Sequence, residues 1–280
     1  MKIQLLHAVA ASLALPVFAL AQSNPAPQAA APAKPEPAPA KKPSRPKIKW
    51  DDMDLGPFFS GCYKVGDSIS FKGIAVAVGT KDAPATVLFD TELLRFHAAW
   101  EGGLARFPGG RGGLDGQFAA DGDVKVSAGW ANGWGAEIQD DPRAKHQGAL
   151  PGTKWRGIYL HGNSTVLSYA VGKQAILETP GSEVRDGVRI FTRTFMIAAG
   201  GDARKLLVAN AAGQPRQTAR GIVALENGGT VVAAALRGAP EGATLVASQG
   251  GRIVVDLPAF TKEATFQVAF GSAPAADADK

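Results

Sequence analysis

Residues 93–103, "LLRFHAAWEGG", place an arginine, a histidine, a tryptophan and a glutamate within seven residues. Read as a strand, the stretch alternates. Leu94, Phe96, Ala98 and Trp100 fall on one face, and Arg95, His97, Ala99 and Glu101 fall on the other. A helix would gather Leu93, Phe96, His97, Trp100 and Leu104, but it would stop at Gly102-Gly103 after about ten residues. The strand is the preferred reading, with the preceding "TVLFDTE" as its hairpin partner or lead-in. Trp100 then belongs to the core, and the polar face is the place to look for chemistry. An imidazole can move a proton, a carboxylate can assist it, and a guanidinium can hold an anionic or hydroxyl group. The plainer alternative is a face that is solvated or paired across strands, with Arg95 bridging Asp90 or Glu92.

A second polar cluster lies in "KWRGIYLHGNSTVLSY". Alternation puts Tyr159 and His161 on one face and Arg156, Ile158 and Leu160 on the other. If this strand neighbours the first, His97 and His161 could converge with Glu178 or Arg193. Beyond the leader the chain has three histidines, His97, His146 and His161. Two histidines with a carboxylate, Glu101 or Glu178, could run acid/base chemistry or hold a metal. Their wide separation matches no metal-ligand spacing, so neither a metal nor any other cofactor is expected. Trp130, Trp134 and Trp155 are candidates for stacking on a sugar face, with core packing as the alternative for each.

Other motifs are missing. "GGRGGLDG" lacks the spacing and the strand-to-helix setting of a phosphate loop. There is no G-x-S-x-G elbow and no C-x-x-C-H. "DGDVKVS" lacks the remaining ligands of a calcium loop and reads as a turn. Cys62 is the only cysteine, so no internal disulfide can form, and beside its aromatic neighbours it reads as a small buried residue.

The elements that must position these residues are short strands. From Ser70 to Phe270 the chain runs through segments rich in Val, Ile, Thr and aromatics, most of them ending at Gly, Pro or Asn. Turns such as Asn227-Gly228-Gly229 suit hairpins. The expected fold is all-β, a large many-stranded antiparallel β-sandwich with long Gly/Pro-rich loops; two smaller sandwiches are the alternative. The stretch from Phe107 to Thr153 interrupts the rhythm and reads as long irregular loops, where binding tends to reside.

The chain ends complete the domain plan. Residues 1–21 read as a signal peptide, with Lys2, a short apolar run and Ala19-Leu20-Ala21. Residues 22–47 are a Pro/Ala/Lys-rich disordered spacer that could contact an anionic cell surface. The β-sandwich is assigned to 48–271 and a disordered tail to 272–280. The protein is therefore expected in the periplasm or outside the cell, with no membrane span after cleavage. The formal charge of +5 belongs to the leader and spacer. Residues 1–49 hold seven basic residues and one acidic residue, leaving 23 basic against 24 acidic from Trp50 onward. That balance argues against nucleic acid as a partner.

"WDDMDLGPFFSGCY", "KGIAVAVG", "TVLFDTELLRFHAAWEGG" and "KWRGIYLHGNSTVLSYAVGKQAILETPG" together resemble an uncharacterised domain near the N-terminus of large secreted bacterial proteins. There it commonly precedes a sugar-dehydrogenase-type β-propeller and a cytochrome c module. The resemblance covers roughly residues 50–270 and implies context rather than catalytic residues. This chain carries neither module, so a shared ligand or docking surface is what it would retain. The expected function is a non-catalytic binding or accessory domain with carbohydrate as ligand, or an envelope protein as partner. The alternative is a carbohydrate-active enzyme, an isomerase of the mutarotase type or a lyase. Such an enzyme would use His97 or His161 with Glu101 or Glu178, and Arg95 or Arg156 would hold the substrate. The aromatic and polar candidates for ligand contact are Arg95, His97, Trp130, Trp134, Trp155, Arg156, Tyr159 and His161.

Overall fold

The computed structural model describes residues 53–109, 116–143, 145–217, 221–248 and 250–277. The signal-peptide and spacer assignments, 1–21 and 22–47, lie outside the described residues. So does the Gly-rich stretch 110–115.

Five strands close a barrel: β1 (Phe58–Val65), β2 (Ser68–Ala77), β3 (Ala85–Asp90), β4 (Arg95–Arg106) and β5 (Phe118–Ser127). Each pairs antiparallel with the next, and β1 returns to β5 through a short parallel pair, Tyr63 with Phe118 and Lys64 with Ala119. Parity forces that parallel closure: an up-and-down series with an odd number of strands brings its first and last strands together pointing the same way. Tyr63, Leu88, Ala98 and Trp100 fill the barrel.

The remaining strands form two sheets. β6 (Trp134–Gly135), β11 (Arg204–Asn210), β15 (Thr244–Ala247) and β16 (Arg252–Leu257) make a four-stranded sheet in the order β15-β16-β11-β6. The eight-stranded sheet takes β7 (Thr153–His161), β8 (Ser164–Val171), β9 (Gln174–Arg185), β10 (Val188–Ile197), β12 (Gln214–Gln217), β13 (Val223–Asn227), β14 (Thr230–Arg237) and β17 (Ala264–Pro274). Its order is β12-β13-β14-β17-β10-β9-β8-β7. Two-residue hairpins set its registers. Asp186-Gly187 joins β9 to β10 and Gly228-Gly229 joins β13 to β14, all four residues with positive φ, which matches the twist of paired strands.

The all-β antiparallel sandwich is as expected, but its second layer is composite. One core joins Phe191, Phe195, Phe266 and Phe270 of the large sheet to Leu206, Val208 and Val255 of the small one. It also includes Val87, Phe89, Phe96 and Ala99 from the outside of the barrel. The barrel and the four-stranded sheet thus lie side by side against the eight-stranded sheet.

Three expectations need correction. Residues 118–127, including "DGDVKVS", form strand β5 rather than a turn within a long loop, because they pair with β4 to close the barrel. β17 continues through Pro274 and a 3₁₀ turn covers Ala275–Asp277, so order runs past residue 271. Finally, β4 does not keep one alternation. Leu88 pairs with Ala98 but Phe89 pairs with Phe96, so His97 is an extra residue on β4. This bulge switches the faces. Phe96 and Ala99 join the shared core, whereas Ala98 and Trp100 point into the barrel.

A fully buried ion pair lies in the shared core, between neighbouring strands of the large sheet. Arg193 on β10 donates from Nε to Glu178 Oε1 at 2.6 Å and from Nη2 to Oε2 at 3.1 Å. Tyr169 on β8 donates to Glu178 Oε2 at 2.6 Å, and Trp134 Nε1 donates to the Tyr169 oxygen at 3.3 Å. Arg193 Nη1 reaches the Leu207 carbonyl on β11 at 3.0 Å, and the guanidinium lies over the rings of Phe195 and Phe96. Burial by itself would depress the Arg193 pKa, but Glu178 and Tyr169 more than offset this and raise it. Burial, then the Glu178 charge, pushes the Tyr169 phenol well above its ordinary value. Arg193→Met leaves the Glu178 carboxylate buried without its cation, which should cost about 3–5 kcal/mol. Arg193→Met/Glu178→Leu should recover most of that loss in urea unfolding. Equal losses in the single and double variants would mean that the pair is not what stabilises the core.

Candidate functional site

The polar residues singled out in the sequence separate into sealed and open groups. His97 is sealed inside the barrel. Its Nε2 lies 2.7 Å from Ser68 Oγ and its Nδ1 lies 2.7 Å from Ser70 Oγ. Ser68 donates its one proton to the Val65 carbonyl at 3.1 Å, so it accepts from Nε2–H, and Nδ1 accepts from Ser70. Every polar atom of the imidazole is used. Burial, with a smaller contribution from Arg95, holds its pKa well below the ordinary value. His97 therefore braces β2 against β4 as a neutral ring and reaches no solvent. Glu178 is sealed likewise by Arg193 and Tyr169, and Trp134 is a core residue rather than a stacking platform. Trp155 is half-buried and packs on Phe89 at 5.8 Å between ring centres.

His97 and His161 do not converge on one open pocket. His161 is exposed at the hairpin end of β7, the edge strand of the eight-stranded sheet. Arg156 and Tyr159 are exposed on the same strand, and past a bulge at Arg156 Tyr159 and His161 keep the shared face that alternation gives them. Glu101 sits half-exposed on β4 with Lys125 at 3.2 Å and Arg189 at 3.9 Å. Among the described residues no group of three or more His, Cys, Asp or Glu is arranged to hold a metal ion.

The open group lies at the barrel rim, where the β3–β4 turn meets the loop after β5. Arg95 is buried and pairs with Asp90 at 3.2 Å, the cross-strand bridge that the sequence offered. It also donates to the carbonyls of Gly129 and Ala131. Burial lowers the pKa of its guanidinium, with Asp90 opposing. Leu94, just before it, takes a left-handed φ of 44°, a costly conformation for leucine, at the point where the turn enters β4. Gly133 fits against this turn because it lacks a side chain. A Cβ there would sit 2.0 Å from the Leu94 carbonyl oxygen.

Trp130 extends from this loop, with the Arg95 guanidinium 5.8 Å from its ring centre. His146 stacks on Trp130 at 4.2 Å with an interplanar angle of 26°. The His146 Nδ1 donates to Asp141 Oδ2 at 3.0 Å, while Arg143 grips the same carboxylate through Nε at 2.7 Å and Nη2 at 2.8 Å. Burial alone would raise the Asp141 pKa, but the hydrogen bonds from Arg143 and His146 bring it down to about 2. With Nδ1 directed at the carboxylate, Nε2 is the ring nitrogen left open to solvent. The His146 side chain is 40% exposed, whereas that of Asp141 is fully covered. An aromatic stack, anchored through Asp141 by the Arg143 guanidinium, thus presents the His146 ring to solvent at one rim.

A second concavity, about 470 Å³, lies at the opposite end of the barrel and is lined in part by Asp54, Lys81, Phe107 and Asp121. Sequence reasoning missed Asp141, Arg143 and His146. Asp141 accepts from the backbone N–H of Arg143 at 3.0 Å, which in the sequence is only an Asp two residues before an Arg in a loop.

Residues 87–178 match a family model described as a domain of unknown function, DUF6797. No curated protein matches the chain. The matched stretch starts in β3 and ends at Glu178 in β9, so it includes the rim group and crosses from barrel to sheet.

The sealed His97 has a consequence in solution. The unfolded chain protonates this residue below about pH 6.5 and the folded protein does not, so stability falls as the pH drops through that value. Between pH 7.5 and 5.5 His97 alone should account for about 1.4 kcal/mol of lost unfolding free energy. In urea titrations His97→Gln should be less stable at pH 7.5 yet show a flatter slope over this window. An unchanged slope would mean that His97 can take up a proton in the folded state.

Proposed function

We propose that this protein is an exported, non-catalytic binding or accessory domain that holds carbohydrate at the barrel rim. The observation that carries the reading is the solvent-facing stack of His146 on Trp130, anchored by Asp141 and Arg143. A sugar has an apolar ring face and a periphery of hydroxyl groups. The outer imidazole face suits the former, and Nε2 suits the latter. The acid/base alternative draws no support from His97 or Glu178, whose polar atoms are already engaged and covered.

The leader-like N-terminus supports export to the periplasm or cell surface. The match to a domain of unknown function supports the resemblance to an uncharacterised domain, which in our reading is the N-terminal domain of large secreted proteins. We take this chain to share with them a ligand-holding role, beside modules that act on sugars or carry electrons.

Thermal unfolding with a panel of monosaccharides, oligosaccharides and uronates tests the reading. A ligand of the folded state at a hundred times its Kd adds about 2.7 kcal/mol, so one sugar class should raise the midpoint dose-dependently. Trp130→Ala and His146→Ala should abolish the rise. No shift with any sugar at millimolar concentration would reject carbohydrate. A shift that survives both variants would move the ligand away from the rim.

A further inference from the structure

The outer face of the eight-stranded sheet carries a trough that plays no part in the rim site. Its floor is Ala233 and Ala235 of β14 beside Gly271 and Ala269 of β17, paired in register. Gly271 keeps the floor low: a Cβ there would lie 2.9 Å from the Arg189 carbonyl oxygen of β10. Branched side chains form the walls, Ile190 on the β10 side and Ile222 on the β13 side. The trough has a volume of about 350 Å³, within the range of small-molecule sites.

Its chemistry is one-sided. Among the described residues no carboxylate lines it, and the charged groups there are Arg185 and Arg237. Arg185 is held by Glu183 at 3.0 Å. Arg237, exposed at the end of β14, makes no ion pair with any described residue. The floor strands are interior to the sheet: Ala233 and Ala269 are laddered on both sides, whereas the β13 ladder ends at Ala234 and the β10 ladder at Phe270. Such a floor leaves few backbone groups for a polar ligand. It offers apolar contact along its length and a cation at one end. From Val231 to Arg237 it runs about 20 Å by strand rise.

We propose that this trough binds an anionic amphiphile, an unbranched aliphatic chain lying over Ala233, Ala235 and Gly271 with its carboxylate at Arg237. The matched features are the narrow apolar floor, the branched walls and the unopposed arginine. The site is separate from the barrel rim, so either proposal can fail alone.

Titration calorimetry of the full chain with decanoate and with 1-decanol tests this. Decanoate should bind saturably, and 1-decanol more weakly. Ala235→Phe fills the floor and should weaken both ligands by about tenfold or more. Arg237→Glu lies on an exposed position that leaves the core untouched. It should weaken decanoate several-fold and spare 1-decanol, while His146→Ala should change neither. Absence of saturable binding, or decanoate affinity unchanged in Arg237→Glu, would overturn the proposal. So would a dimer in sedimentation that Ala235→Phe dissociates, because the trough would then be covered by a second copy of the chain.

Discussion

The contact between Arg193 and Glu178 constrains the rest of this molecule. It sits where three sheets meet. Glu178 and Arg193 come from the eight-stranded sheet, the Leu207 carbonyl and Trp134 from the four-stranded sheet, and Phe96 from the barrel. An ion pair stripped of water is worth keeping only if its remaining donors and acceptors are also met. Here Tyr169 supplies the extra donor to the carboxylate, and Leu207 accepts from the guanidinium. Meeting both conditions fixes the separation and lateral position of the layers. Apolar packing alone would tolerate sliding; the bidentate pair ties β9 to β10 within one sheet, and the contacts from Arg193 to the Leu207 carbonyl and from Trp134 to Tyr169 resist sliding between the layers.

The same rule sorts every other candidate for chemistry. His97, Glu178 and Arg95 have the residue types of an active site, but burial has used up their bonding capacity. Ser68 and Ser70 occupy both nitrogens of His97. Asp90 and two backbone carbonyls occupy most of Arg95. His146 differs because Asp141 takes one nitrogen and solvent reaches the ring. What separates a brace from a possible binding group is therefore the unused lone pair, which residue type does not reveal.

This explains how much was legible beforehand. Strand alternation and turn chemistry are local, so most strands and the Asn227-Gly228-Gly229 hairpin could be read from the sequence. The cross-strand partner of Arg95 could also be read, because Asp90 lies just across a short turn. The bulge at His97 could not, since it reflects pairing with Leu88 and Phe89 and the need to face two cores with one strand. β5 was hidden because its sequence, FAADGDVKVS, is half polar and has Gly at its centre. Its strand character comes from barrel closure. The rim group was hidden for a similar reason. Residues 90–95, 129–133, 141–143 and His146 meet only after the barrel rim has formed.

The span of the family match carries this one step further. It holds β3 to β8 and ends at Glu178, yet it lacks β1 and β2 of the barrel and Arg193 of the ion pair. It is therefore not a closed unit in the structure. A barrel without β1 and β2 has open edges, and Glu178 without Arg193 is a buried charge with no cation. What the matched stretch does contain is the junction: the Asp90–Arg95 bridge, Gly133 packed on the β3–β4 turn, the rim loop and the Tyr169–Glu178 contact. Gly133 accepts from Leu207 N at 2.9 Å and donates to the Leu93 carbonyl at 3.2 Å, joining barrel to sandwich through its own backbone. The rim site inherits its rigidity from that junction, because Trp130 lies three residues away on the same loop. Strands on either side complete the layers that hold the junction in place, and their side chains supply apolar faces, Arg193, and the Ser68 and Ser70 hydroxyls that hold His97.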